Sequence, residues 1–228
     1  MSWWIWCLLG YGLGSIPFGV IAARMRGIDI QSVGSGNIGA TNVLRVLGPV
    51  WGVSVFLLDM LKGAVPAILA SQAVHEKVGP IDIQMLWLLA GLCAVLGHCF
   101  SPFLKFKGGK GIATAFGMVI GAAPWVAFPA FSLFLVVLFA TRYMSIASIV
   151  GVSSSVILGA VLPNESRQIL IVYVPLTIFI VARHGENLKR VRAGTERKFE
   201  FRKTESVEPA RPSANAENHA AEPNVSKP

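Results

Sequence analysis

The amino-acid sequence predicts an all-α, polytopic integral membrane fold of about seven transmembrane helices, with the N-terminus outside and the C-terminus cytoplasmic. Three observations predict it. Only 14% of the 228 residues are charged while 54% are hydrophobic, against roughly 25% charged in soluble domains. The apolar residues run in stretches long enough for a hydrocarbon core, which takes roughly 20 helical residues to cross. The basic residues, which carry the formal charge of +8, fall almost entirely in alternate connecting segments. That asymmetry marks cytoplasmic loops rather than a nucleic-acid surface.

The first apolar run, 3–23, has no basic residue ahead of it, unlike a secretory leader, so it is expected to be retained as a span. Ser15-Ile-Pro17 should loosen it, because proline removes a backbone donor and a nearby serine can satisfy what is freed. Further spans are expected at 49–72, 82–100, 111–124, 125–140, 146–162 and 168–182. The difficult stretch is Ile112 to Thr141. One helix there would run about 45 Å, too long for a simple crossing. Two helices broken at Gly121-Ala-Ala-Pro124 would each be short. Charge favours two: Arg24, Arg26, Arg45, Lys105, Lys107, Lys110, Arg142 and the basic 183–203 segment then share one side, leaving Lys77 and Arg167 on the other.

Asp59 and Lys62 share one face of the second span and are read as a structural ion pair. His98 is read as a satisfied histidine at the membrane interface. Cys7, Cys93 and Cys99 match no disulfide framework, zinc or redox spacing and are read as packing residues. The membrane-embedded domain is expected to cover 1–203. Residues 204–228, poor in large apolar side chains, should form a disordered cytoplasmic tail.

Three polar segments could carry chemistry, all on the basic side. The first runs from Val33 to Arg45. Gly34, Gly36 and Gly39 have the spacing of a dinucleotide-binding loop, but no strand or βαβ unit surrounds them. Glycines still let backbone N–H groups approach an anion closely. Ser35, Asn37, Thr41 and Asn42 add side-chain hydrogen bonds, and Arg45 adds a charge with fork geometry suited to phosphate. The second, Gly97 to Gly111, is not a P-loop, because Gly111 stands where serine or threonine should follow the lysine. Lys110, between Gly108-Gly109 and Gly111 at a helix start, remains well placed for an anion. Lys105 and Lys107 are assigned to lipid headgroups. The third runs from Arg183 to Glu196. If it continues the last helix, His184 and Asn187 share a face; Lys189, Arg190 and Arg192 read as a polybasic flank.

Other chemistries are excluded by what is missing. Three aspartates are too few for a two-metal phosphotransfer site near these loops. No histidine has an aspartate five positions on, so the HxxxxD dyad of common glycerolipid acyltransferases is absent, as is a GxSxG elbow. A cationic site without a carboxylate base or activated nucleophile is expected, with no metal and no cofactor.

Ser35 to Arg45, Phe106-Lys-Gly-Gly-Lys-Gly111 and Arg183-His…Asn187 resemble the three motifs of the bacterial acyl-phosphate:glycerol-3-phosphate acyltransferases, the PlsY family. Gly14-Ser-Ile-Pro-Phe-Gly19, Leu58-Asp-Met-Leu-Lys-Gly63 and Arg142-Tyr-Met-Ser145 also look like the family pattern, and the resemblance runs from about Trp4 to Phe199. It implies a seven-helix, multi-pass enzyme of the bacterial inner membrane with its active site facing the cytoplasm. The reaction implied moves an acyl chain from acyl-phosphate, not acyl-CoA or acyl-carrier protein, to the sn-1 hydroxyl of glycerol 3-phosphate. Lysophosphatidic acid and phosphate result, at the first committed step of phospholipid synthesis. The residues implied as catalytic are Ser35, Arg45, Lys110, His184 and Asn187. Those implied as substrate-binding are Gly34, Gly36, Asn37, Gly39, Thr41, Gly108, Gly109 and Ser145. The family is thought to lack a protein base, which leaves a substrate phosphate to take the hydroxyl proton; His184 as general base is the less favoured option. Partners implied are the two substrates, membrane lipids and, as an option, a peripheral enzyme that makes acyl-phosphate; nucleic acid is not one. Two departures stand out: Gly185 replaces a usual basic residue, and the segment after Thr204 has no family counterpart. The alternatives are a transporter of an anionic phosphorylated metabolite, which would want repeated halves and broken helices at the midplane, and a polybasic membrane scaffold.

Overall fold

The computed structural model describes residues 2–163 and 165–200; the expected tail at 204–228 lies outside them. Helices α1 (Trp3–Gly14), α2 (Phe18–Arg24), α3 (Ala40–Leu47), α4 (Pro49–Ala73) and α5 (Ile83–Cys99) are followed by α6 (Ile112–Ala122), α7 (Pro124–Thr141), α8 (Met144–Val161), α9 (Leu170–Arg183) and α10 (Gly185–Arg192). No strand forms among the described residues. Five stretches are long and apolar enough to cross a membrane: Trp3–Arg24, Pro49–Ala73, Ile83–Leu104, Pro124–Thr141 and Met144–Val161. Arg167–Arg183 with Gly185–Arg192 would add a sixth as a bent span. This is a multi-pass membrane protein.

Every expected span has its helix, and the two breaks are where the prolines and small residues put them. Ser15 turns its hydroxyl back to the Tyr11 carbonyl, 2.8 Å away, and the chain leaves α1 before Pro17 to restart as α2. Between α6 and α7 the chain folds back at Ala123-Pro124. The rings of Phe116 and Phe131 stack with centroids 4.5 Å apart; one straight helix would hold residues fifteen apart at roughly 22 Å. The expected 111–124 span, however, is a helix of 11 residues, roughly 16 Å long, about half a hydrocarbon core. It is short because the chain ahead of it returns to the bundle only at 108–111, after a largely exposed turn over 102–107. The amide N–H groups of Gly108 and Gly109 bond back to the Cys99 and His98 carbonyls, at 3.0 and 3.2 Å, so α6 begins beside the last turn of α5.

Helices approach closely where side chains are small, as membrane packing requires. A Cβ on Gly63 of α4 would strike the Thr114 carbonyl of α6, and one on Gly117 of α6 would strike that of Met60. Gly10 and Gly14 of α1 meet Ala90 and Ala94 of α5 in the same way. Large apolar side chains such as Leu8, Phe128, Phe139, Ile157 and Ile178 point outward.

Hydrogen bonds define two ends. At one, Gln84 bonds both Glu165 and the Ala122 carbonyl, Ser166 bonds Asp82, and Trp87 Nε1 donates to the Val74 carbonyl at 3.1 Å. At the other, Ser101 Oγ donates to the Ser15 carbonyl at 2.6 Å, and Phe199 N–H donates to that of Arg142 at 2.6 Å. All three glycine-rich or basic segments belong to the second end. His98, near the end of α5, is 5% exposed inside the bundle, with Nδ1 3.6 Å from Asp59 Oδ1. Gly109, at the buried end of the 100–111 loop, lies against it.

Candidate active site

The first segment is built around Asn42. Its buried side chain accepts the Ser35 N–H at 2.9 Å and donates to the carbonyls of Val33 at 3.1 Å and Ile30 at 3.3 Å. Gly34 and Gly36 have φ of 64° and 68°, the left-handed region that favours glycine. Asn37 Oδ1 accepts the Gly39 N–H at 2.8 Å, a turn that leads into α3. Asn42, expected to add a ligand-facing hydrogen bond, is thus consumed as the internal brace of the loop. Val43 and Val46 pack α3 against Val20, Ala23, Ile30 and Val55. Thr41 and Arg45, four apart, therefore share another face. Ser35 is exposed.

The second segment is held by Arg183, whose guanidinium donates to the carbonyls of Gly108 at 3.0 Å and Gly109 at 2.8 Å. Gly111, with φ of 83°, starts α6. Between them Lys110 donates through Nζ to Asn187 Oδ1.

The third segment does not continue α9 straight; α10 bends away by 54° at His184. A Cβ on Gly185 would meet nothing within 4 Å, so the basic side chain absent there would have pointed into open space. Beyond α10 the chain turns back and delivers Glu196, which sequence analysis did not single out. Its carboxylate accepts from Asn187 Nδ2 at 2.7 Å, Ser145 Oγ at 3.1 Å and Arg190 Nε at 2.8 Å. Arg45 Nη2 donates to the neighbouring Arg197 carbonyl at 3.4 Å.

Glu196 sits at the hub of the site as a paired carboxylate. One expectation is corrected here. Arg190 is not a bland flank, because it closes that hub, whereas Lys189 pairs outside with Glu186 at 2.7 Å. The sequence assigns no site role to Arg183, Arg190 or Glu196, because their roles depend on the bend at His184 and the return of the chain. The structure brings Arg45, Lys110, Ser145, His184 and Asn187 to one region. Among the described residues, the hydrogen bonds of Ser35, Asn37 and Gly39 stay within their own loop.

The cations act on one another. Burial first, then the Arg190, Arg183 and Arg45 charges, push the Lys110 ammonium down to about 8 against the pull of Glu196. His184, 3% exposed, is pushed down to about 4, chiefly by burial and then by Lys110 and Arg183, against its bond to Ile180 and the Glu196 charge. Its Nδ1 lies 2.8 Å from the Ile180 carbonyl. A carbonyl only accepts, so Nδ1 holds the proton and Nε2 keeps its lone pair. At neutral pH His184 is an uncharged hydrogen-bond acceptor. Burial first raises the Glu196 carboxyl, but the bonds from Asn187, Arg190 and Ser145 hold it below the usual carboxylate range.

Residues 4–194 match the family model described as glycerol-3-phosphate acyltransferase. The chain belongs to the glycerol-3-phosphate acyltransferase family. It is 42% identical over 193 residues to a protein of that name from Geobacter sulfurreducens, covering 84% of this chain and 94% of the relative. It is 44% identical over 200 residues to one from Thermus thermophilus, covering 86% and 94%. Among solved structures, the integral membrane glycerol 3-phosphate acyltransferase PlsY (YgiH) in its glycerol 3-phosphate form superposes with a TM-score of 0.80. That match has 40% identity and covers 88% of this chain and 96% of the other. Its lysophosphatidic acid form gives 0.78 at 39% identity, with the same coverage.

Proposed function

We propose that this acyltransferase moves a fatty acyl chain from acyl-phosphate to the sn-1 hydroxyl of glycerol 3-phosphate, on the cytoplasmic side of a bacterial inner membrane crossed seven times. The observation that carries this reading is the convergence of Arg45, Lys110, Ser145 and Asn187, from segments far apart in sequence, around Glu196 and its neighbour Arg197; an apolar groove lies close by in the chain. Phosphates need cations and backbone N–H groups; the acyl chain needs a dry slot. The groove begins at Ile112, two residues from Lys110, and Ser148, one turn from Ser145. It descends between α6, α7, α8 and α9 past Val152 to Val119 and Tyr173.

The chemistry balances without a covalent enzyme intermediate. The sn-1 oxygen bonds to the acyl carbon, the bond from that carbon to the phosphate oxygen breaks, and phosphate leaves with the electron pair. The hydroxyl proton passes to a phosphate oxygen, since a histidine pushed down to about 4 is a poor base at neutral pH. Arg45 and Lys110 hold the substrate phosphates, Ser35 and Thr41 the donor phosphate; Gly34 and Asn37 add to the cradle, while Gly36, Gly39, Gly108 and Gly109, whose N–H groups bond within the protein, shape its walls. His184 Nε2 and Asn187 orient glycerol 3-phosphate; Ser145 contributes through Glu196. The test is direct. Purified protein given glycerol 3-phosphate should release phosphate with acyl-phosphate and stay inactive with acyl-CoA or acyl-carrier protein. Turnover with a thioester donor but not with acyl-phosphate would overturn the assignment of the donor.

Two quantitative expectations follow. With the Lys110 ammonium down to about 8, its charge is lost as pH rises through that value, well below the ordinary lysine range. The KM for glycerol 3-phosphate should therefore climb above pH 8, and binding near pH 8–9 should take up a proton, measurable by calorimetry in buffers of different ionisation heat. In the groove, each methylene denied burial costs about 0.8 kcal/mol, roughly a fourfold factor. Val152→Phe should shift the preference toward shorter acyl donors, checked as the ratio of kcat/KM values across a chain-length series.

A further inference from the structure

Three ionisable side chains lie inside the helix bundle behind the phosphate pocket. Asp59 is 2% exposed, Lys62 5% and His98 5%. Ionisable groups at this depth are costly and call for a reason. Lys62 Nζ stands 2.6 Å from Asp59 Oδ1 and donates to the Ile16 carbonyl at 2.9 Å, in the break between α1 and α2. That alone would be a structural pair. The same Asp59 oxygen, however, also faces His98 Nδ1, 3.6 Å away. The opposite edge of the imidazole faces the second glycine-rich segment: a Cβ on Gly109 would strike His98 Nε2 before anything else. Gly109 is not in the left-handed region, so the ring, not the backbone conformation, demands glycine there. The Gly109 N–H also bonds to the His98 carbonyl at 3.2 Å. Lys110 follows directly.

We propose that Asp59 and His98 are positioning residues for the phosphate pocket. Lys62 anchors Asp59, Asp59 sets the His98 ring, and the ring is the floor on which the Gly109 peptide rests, fixing the depth from which Lys110 reaches Asn187. Neither side chain touches substrate. The proposal rests on glycerol 3-phosphate being the ligand of that pocket, but not on the identity of the acyl donor.

The test follows glycerol 3-phosphate binding to the full-length protein in detergent, as the concentration giving half-maximal thermal stabilisation. His98→Ala and Asp59→Asn should each raise that concentration about tenfold, equivalent to 1.4 kcal/mol, in protein that still melts cooperatively. Gly109→Ala should be worse alone than combined with His98→Ala, because removing the ring makes room for the new methyl. This pairing keeps the test decisive if Asp59→Asn does not fold. Wild-type affinity in His98→Ala, or losses from His98→Ala and Gly109→Ala that simply multiply, would overturn the positioning role while leaving the proposed function standing. Wild-type protein that bound no glycerol 3-phosphate would overturn both.

Discussion

Lys110→Ala is expected to lower kcat/KM by about 10²–10³, the cost of removing one preorganised group that stabilises developing charge in a partly desolvated site. In the proposed reaction the phosphate being expelled gains charge as the acyl bond breaks, and Lys110 is the compact cation set between the glycine-rich loop and Asn187. Lys110→Arg should not restore activity. A guanidinium is larger and planar, and this ammonium sits half-buried beside Asn187 with Arg183 and Arg190 acting on it. Phosphate release at saturating donor, with glycerol 3-phosphate varied, checks both variants. Activity of the alanine variant within threefold of wild type would remove Lys110 from the mechanism.

The second large effect is expected at Glu196. Glu196→Ala strips a carboxylate from three donors at once, leaving Arg190 beside Lys110 with no counter-charge between them. Hydrogen bonds to charged groups contribute about 1.5–3 kcal/mol each, less where solvent reaches the group. A net loss of about 2–3 kcal/mol is therefore expected, a fall in melting temperature of roughly 5–10 °C. Glu196→Gln should lose less stability, since an amide still accepts from Asn187, yet it should shift Lys110 further down by removing the charge that supports it. Because the Glu196 carboxyl is held low, its contribution is complete above its ordinary value of 4.5 and is lost as pH falls through the depressed one. Thermal unfolding between pH 7 and pH 3, wild type against Glu196→Gln, reads that difference; identical pH profiles would contradict it.

The sequence disclosed those parts of the fold that leave a local chemical mark. Pro17 and Pro124 mark chain breaks because proline cannot donate, and charge sidedness favours the hairpin at Ala123-Pro124 that the stacked rings of Phe116 and Phe131 display. The left-handed Gly34, Gly36 and Gly111 were legible as glycines flanked by polar residues. What was not legible depends on long-range return of the chain. The bend at His184 has no proline, only Gly185, and without it Glu196 is one more residue of a basic tail. Likewise nothing in Gly97-His-Cys99 reveals that the chain returns at Gly108-Gly109 to lie against His98, which leaves α6 shorter than the apolar run suggests.

The account stands on one shared cationic pocket made by segments far apart in sequence. A double-mutant cycle on kcat/KM for glycerol 3-phosphate with Arg45→Ala, Lys110→Ala and the double variant tests this most directly. Two cations acting on the same phosphates should couple, so the double variant should lose less than the product of the single losses, by at least about 1 kcal/mol. Losses that multiply to within about 0.5 kcal/mol, as for independent distant sites, would contradict it.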